Sequence, residues 1–210
     1  MDAIILAGGL GKRLRPLTDS MPKCMVPING KPMLQYHVDA LKKVKIGKII
    51  VACGYKWGEI KKHYGSSMSY AVEEEPLGTS GAVKNALDKI DGHEFIVINA
   101  DDITNVDFSR LAKTGSNATV VGLLKSPFGV VDITDDKIMR FREKPVLPHF
   151  VNIGVHLLNK SVKYLDKGSL EYDVLPKLAT KGELKAHKHT GYWVTVNTLK
   201  DLEEAEKALR

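Results

Sequence analysis

Cysteine is nearly missing from this chain: Cys24 and Cys53 are the only two in 210 residues. Two thiols build neither a disulfide framework nor a zinc cluster, and their spacing is not that of a Cys-x-x-Cys redox pair, so both read as small apolar side chains. Long apolar runs are missing as well. Nothing approaches the roughly 18 consecutive apolar residues of a membrane span, and Asp2 with the short run Ala3-Ile4-Ile5-Leu6-Ala7 stands where a secretory signal would carry lysines and a longer apolar stretch. A cytoplasmic protein without a membrane partner is the expectation. With no Gly/Ser-rich linker, repeat or low-complexity tail, residues 1–210 read as a single domain. Charge is plentiful, 31 Lys and Arg against 25 Asp and Glu for a net +6, but the lysines are spread along amphipathic segments and no basic run interleaves with aromatics. A nucleic-acid partner is therefore not expected. The composition leaves a homo-oligomer open.

What the chain does have, in its first half, is alternation. Short apolar or β-branched runs at 3–7, 48–52, 68–72 and 95–99 read as strands, and segments 32–44, 57–64 and 79–90 repeat apolar residues at helical intervals, as in Leu34, Val38 and Leu41. A further helix is expected after Asp107, whose side chain can cap it. Alternation of this kind predicts an α/β fold with a mostly parallel sheet. Beyond about residue 118 the pattern becomes strand-rich. Strands are expected at 119–124, 130–133 and 138–141, the last two flanking a turn at 134–137, and again at 151–158, 184–189 and 193–196. Helices are expected near 161–165, near 172–179 and from 199 onward.

The first strand runs into Leu6-Ala7-Gly8-Gly9-Leu10-Gly11-Lys12-Arg13. Open α/β sheets bind ligands beyond the carboxyl ends of their strands, and closely spaced glycines let backbone amides approach a phosphate with cations immediately behind. The stretch is an anion cradle, although neither familiar motif fits. A P-loop would need glycine at Leu6 and Ser or Thr at Arg13, and the dinucleotide fingerprint would need glycine at Leu14. At the end of the 95–99 strand, Ala100-Asp101-Asp102 puts carboxylates on the same edge, a suitable place for Mg²⁺, which takes a few protein oxygens and fills its octahedron with water and phosphate. A pair of acids capping a turn is the plainer reading.

The stretch 7–18, followed by Pro22-Lys23 and Lys31-Pro32-Met33, closely resembles the signature of the sugar-1-phosphate nucleotidylyltransferases, also called nucleotide-sugar pyrophosphorylases. The resemblance implies a three-layer Rossmann-like fold with a mostly parallel mixed sheet and a strand-rich sugar-binding lobe, and no hexapeptide-repeat β-helix. It implies an enzyme that takes a nucleoside triphosphate and a sugar 1-phosphate with Mg²⁺ and releases pyrophosphate. Leu6, Ala7, Gly8, Gly9, Gly11 and Lys12 would hold the triphosphate, Arg13 would assist departure of pyrophosphate, and Lys23 would contact phosphate. Asp101 would bind the metal, although Ala100 replaces the family's common glycine, as Cys24 replaces its usual proline.

Arg142-Glu143-Lys144-Pro145 is similar to the family segment whose lysine grips the sugar phosphate, which implicates Lys144. Gly129 in Phe128-Gly129-Val130-Val131, Asn152 in Val151-Asn152-Ile153-Gly154 and Glu171 in Ser169-Leu170-Glu171 match sugar-facing positions, though each also reads as a turn or cap residue. Many relatives carry aspartate at the place of Thr195 as a second metal ligand, whereas uridylyltransferases acting on N-acetylglucosamine 1-phosphate use an asparagine as in Val196-Asn197; the choice is Asn197. The segment from Glu73 through Gly78 and Thr79 resembles the base-recognition loop, where uridine- and thymidine-using enzymes often carry glutamine at the place of Glu73. A carboxylate can meet guanine's two adjacent donors together, which points to GTP with mannose 1-phosphate or a manno-heptose phosphate. A UTP- or dTTP-dependent glucose-1-phosphate enzyme and a non-catalytic nucleotide-sugar sensor are the alternatives, and an exposed acidic run is the plainer reading of the loop.

Overall fold

The computed structural model describes residues 1–115 and 117–209, so Ser116 and Arg210 of the expected 1–210 span lie outside it. The chain runs β1 (Asp2–Leu6), β2 (Pro27–Ile28), β3 (Lys31–Pro32), α1 (Met33–Lys42), β4 (Ile49–Cys53), α2 (Trp57–Tyr64), β5 (Ser69–Val72), α3 (Gly78–Ala86), β6 (Glu94–Asn99) and β7 (Asp102–Thr104). There follow α4 (Phe108–Ala112), β8 (Ala118–Lys125), β9 (Val130–Thr134), β10 (Lys137–Arg142), β11 (Val146–Asn159), α5 (Leu175–Thr180), β12 (Lys185–Lys188), β13 (Trp193–Thr195) and α6 (Leu199–Ala208).

Seven strands form one sheet in the order β12-β8-β11-β6-β1-β4-β5. β6, β1, β4 and β5 are parallel, β11 runs against both β6 and β8, and β12 is parallel to β8, so a mostly parallel mixed sheet is what the chain builds. Alternating side chains make two cores. Ile5, Val51 and Ile98 face α1, α2 and α4, meeting Leu34, Val38, Leu41, Ile60 and Leu111. Ile4, Ile50 and Val97 face the other way onto Ala82 and Val83 of α3 and Leu178 of α5. Strands buried on both faces between helices are the three-layer arrangement that near-continuous apolar runs predict.

The expected strands and most helices are present with shifted ends, and Asp107 caps α4 through the amides of Ser109 and Arg110. Residues 161–165 differ: they form turns, not a helix. The Asn159 side chain takes the Ser161 amide and Ser80 takes that of Asp166, while Val162 and Leu165 are buried as anchors of a loop. Their apolar spacing is that of two loop pegs, not a helical face. The helix expected near 172–179 begins as a π-turn over Leu170–Val174 before α5. Among the described residues no helix is long and apolar enough to cross a membrane.

Candidate active site

β1 lies between β4 and β6, and chain order reverses there: successive parallel strands move outward through β4 and β5, then return to β6 on the other side. Loops leaving β1 and β6 consequently diverge and open a crevice at the carboxyl edge. The loop after β1 carries the glycines. Gly11 has φ +63°, a left-handed backbone, and a Cβ there would stand 2.8 Å from Thr18 and 3.0 Å from Cβ of Lys23, so only glycine fits this turn. Thr18 donates to the Gly11 carbonyl at 2.9 Å and pins the loop. Among the described residues the amides of Gly8, Gly9 and Gly11 have no protein acceptor, which leaves them for an anion.

A third, smaller core lies beneath this loop, made of Leu14, Val26, Ile28, Met33, Ile103, Val196 and Ala205. It ties together the end of the glycine loop at Leu14, the segment from Val26 to Met33, the β7–β13 pair and α6. The amide of Val196 donates to the carbonyl of Asp101 at 2.9 Å. Thr198 and Asp201 form a capping box for α6, and Asp201 also accepts the Asn197 amide at 3.0 Å. These contacts fix Asn197 opposite Asp101. From the other side His37 of α1, fully enclosed, approaches the Ala100 carbonyl at 3.1 Å through Nε2. A carbonyl only accepts, so Nε2 carries the proton, and burial pushes the imidazole down to about 4, keeping it neutral.

One cleft is lined by Leu6, Ala7, Gly9, Gly11, Lys12 and Arg13 on one side and by Lys23, Cys24, Asp101 and Asn197 on the other. Lys12 and Arg13 are exposed at its mouth. Deeper in, the Lys23 ammonium donates to Asp101 Oδ2 at 2.5 Å and Asn197 Oδ1 at 2.8 Å. An aspartate oxygen and an amide oxygen therefore converge on one cationic point, a donor set that suits Mg²⁺ provided water and phosphate supply the other ligands. Among the described residues no three His, Cys, Asp or Glu side chains come together for a metal. Asp102 is engaged elsewhere. Its carboxylate accepts from Thr195 and, at 3.1 Å, from Asn99, and burial followed by the charge of Asp101 raises it to about 6. Thr195 thus faces Asp102, and Asn197 is the residue placed beside Asp101.

A second cleft shares Leu6, Gly9 and Asp101 with the first and continues past Gly8, Glu73, Gly78 and Thr79. Glu73 is half-buried, accepts the Leu77 amide at 3.4 Å, and is raised above the usual carboxylate range mainly by burial. Glu74 and Glu75 are exposed, the latter paired with Lys167. At Gly78, φ is +75° and a Cβ would meet the Gly168 carbonyl at 2.2 Å, so the loop before α3 packs tightly on the segment leading to Glu171. Thr79 donates to Glu171 at 3.0 Å and accepts the Leu170 amide, which joins that sugar-facing candidate to the second cleft.

The other sugar-facing candidates stand apart from these clefts. Gly129 packs under Phe141, where a Cβ would be 2.6 Å from the ring. Lys144 is exposed, has φ +44°, and borders a groove with Trp193, Thr195 and α6. Asn152 is exposed and spends its carbonyl oxygen on the Gly154 amide and the Thr119 hydroxyl, the turn-type use its residue type also suggested. Sequence reasoning overlooked His37, Asn99 and Thr18. A histidine inside the Leu34–Leu41 apolar stripe was the available signal for His37; for Asn99 there was only its place at a strand end.

The profile of the nucleotidyl transferase family matches residues 2–210. The D-glycero-alpha-D-manno-heptose 1-phosphate guanylyltransferase of Aneurinibacillus thermoaerophilus is 33% identical, over 100% of this chain and 99% of its own length. The mannose-1-phosphate guanyltransferase of Yarrowia lipolytica is 36% identical over 96% of this chain, which spans 62% of that protein's length. Among solved structures, HddC from Yersinia pseudotuberculosis complexed with GMP-PN superposes with a TM-score of 0.79 at 30% identity, covering 100% of this chain and 99% of that one. By profile, sequence and fold together, the chain belongs to the nucleotidyl transferase family, among its sugar-1-phosphate nucleotidylyltransferases.

Proposed function

We propose that this chain joins GTP to mannose 1-phosphate or a manno-heptose 1-phosphate, giving a GDP-sugar and pyrophosphate. One observation carries the reading: the loops leaving β1 and β6, with the turn between β13 and α6, put Arg13, Lys23, Asp101 and Asn197 around one cleft that continues directly to Glu73 and Thr79. A phosphate oxygen of the sugar attacks the α-phosphorus in line, and the bond from that phosphorus to the bridging oxygen of the β-phosphate breaks. No covalent enzyme intermediate is needed. Free amides of the glycine loop take the triphosphate, Arg13 at the mouth offsets charge on the departing pyrophosphate, and Lys23 neutralises phosphate oxygens within the cleft. Lys144, on its groove beside Thr195, is assigned to the sugar phosphate, with Gly129, Asn152 and Glu171 toward the sugar. A divalent cation, Mg²⁺ in this reading, would be held by Asp101 and Asn197 and would screen the phosphate charge. Holding two anions in register supplies the rest of the rate.

Guanine is favoured by Glu73. The half-buried carboxylate offers only acceptors, to which guanine presents N1–H and its 2-amino group, whereas uracil sets a carbonyl against it. An unpaired buried acceptor costs roughly 1–3 kcal/mol, so selectivity of about ten- to a hundredfold is expected. The guanylyltransferase names of the relatives point the same way. A cytoplasmic location, where triphosphates are made, and self-association also belong to the proposal. Turnover measured for four triphosphates against mannose, manno-heptose and glucose 1-phosphates tests the substrate pair. GTP should win, and Glu73→Gln should shift preference toward UTP or dTTP; equal use of UTP by the unmodified protein would refute the base assignment.

A further inference from the structure

Lys23 stands where a metal would stand. Its ammonium touches both oxygens assigned to the divalent cation, Asp101 Oδ2 at 2.5 Å and Asn197 Oδ1 at 2.8 Å, and its side chain is only 13% exposed. We infer that Lys23 is the resident counter-ion of this pair, so that a divalent cation gains Asp101 and Asn197 only as a triphosphate draws the lysine away. The inference rests on the reading of Asp101 and Asn197 as metal ligands.

Three observations support it. First, two cations cannot share one aspartate oxygen at contact distance without strong repulsion, because the cleft is partly desolvated and Coulomb energy rises as the dielectric falls. Second, the chain alone offers a metal little. Asp102 is engaged by Thr195 and Asn99, and no other acidic, histidine or cysteine cluster is present among the described residues. One carboxylate and one amide, already neutralised by an ammonium, make a poor site for an ion that seeks six oxygens. Third, the lysine can leave without the backbone moving. Its carbonyl is held by the Val26 amide at 3.1 Å and Cys24 beside it is buried, so the turn stays fixed while the flexible four-carbon stem swings. A triphosphate bound on the neighbouring glycine loop brings several anionic oxygens within that reach. It would give the ammonium new acceptors and the metal its missing ligands in one event, which makes metal and nucleotide binding mutually reinforcing.

The test follows Mn²⁺ by electron paramagnetic resonance as it binds the full chain, with and without GTP and with no sugar phosphate present. Without nucleotide the unmodified protein should show no binding at millimolar Mn²⁺, and GTP should bring binding on. Lys23→Met, with Lys23→Gln as a second form should the first fold poorly, should bind Mn²⁺ without nucleotide at least about tenfold more tightly, a modest share of what loss of a unit charge at contact predicts. Arg13→Met, which removes equal charge at the cleft mouth, should change that affinity less than about threefold. Adding Asp101→Ala to Lys23→Met should abolish the gain. In the unmodified protein the Lys23 ammonium resonance in ¹⁵N NMR should ignore Mg²⁺ alone and shift when GTP is added. Equal Mn²⁺ affinity of the unmodified and Lys23→Met proteins without nucleotide, or an ammonium resonance that Mg²⁺ alone displaces, would overturn the exchange. GTP-dependent Mn²⁺ binding untouched by Asp101→Ala would instead overturn the metal-ligand reading beneath it.

Discussion

In β1 and β6 the side chains of Ile4, Ile5, Val97 and Ile98 are fully enclosed, whereas Ile133, Ile138, Met139 and Phe141 of the β9–β10 hairpin are between 61 and 67% exposed. Both regions are rich in β-branched and aromatic residues, although charges at Asp132, Lys137, Arg140 and Arg142 interrupt the hairpin. The difference is cover. β1 and β6 have helices on both faces, while β9 and β10 pair only with each other in a two-stranded sheet. A lone hairpin is marginal in water, so its order depends on what leans against it. The proposed phosphate chemistry is therefore mounted on the enclosed half, and Gly129 and Lys144, proposed to face the sugar, sit at the ends of the uncovered one. Rigid mounting suits charges that must not reorganise during transfer, and an adaptable flank suits recognition of one sugar among many.

The comparison predicts a steep gradient of mutational cost. Ile98→Ala leaves a hole between β6 and the helices on the α1 face and should lower unfolding free energy by about 2–5 kcal/mol in a denaturant titration, where a loss under 1 kcal/mol would break the contrast. Arg13→Ala should slow turnover roughly a hundredfold with the melting temperature unchanged, because an exposed cation contributes to the transition state and little to the fold; near-normal turnover would remove it from the mechanism. Asn197→Ala should raise the magnesium concentration needed for half-maximal rate several-fold, while Thr195→Ala, which loses a bond to Asp102 and none to Asp101, should leave that requirement in place. The reverse pattern would transfer the ligand role to Thr195. The smallest effect belongs to the hairpin: Ile138→Ser should change stability by less than about 0.5 kcal/mol, and a larger loss in the isolated chain would show that its exposed face is covered after all.

How far the sequence anticipates this follows from what is local. The glycine loop, the strands around it and Asp101 at the end of β6 are legible because strand, turn and helix follow one another within a few residues, each with its own periodicity. The pairing that matters most for Asp102 is not local: Thr195 and Asp102 are 93 residues apart and meet through the β7–β13 ladder, which three-residue strands cannot signal. The same holds for His37, whose value lies in a carbonyl 63 residues away. The apolar spacing of Val162 and Leu165 misleads because two buried pegs in a loop imitate one turn of helix. Resemblance to a known family reaches further than periodicity, since it pairs Asp101 with Asn197 and assigns Lys23 to phosphate before any geometry is seen. It does not disclose that the lysine ammonium contacts both Asp101 and Asn197.

The most direct test of the whole account is pyrophosphate release by the purified chain with GTP, mannose 1-phosphate or manno-heptose 1-phosphate, and Mg²⁺, compared with the Asp101→Ala protein. Stoichiometric pyrophosphate and GDP-sugar are expected from the unmodified chain, with a loss of at least about a hundredfold in Asp101→Ala. A folded protein that binds GTP and Mg²⁺ yet releases no pyrophosphate with any sugar 1-phosphate would contradict it.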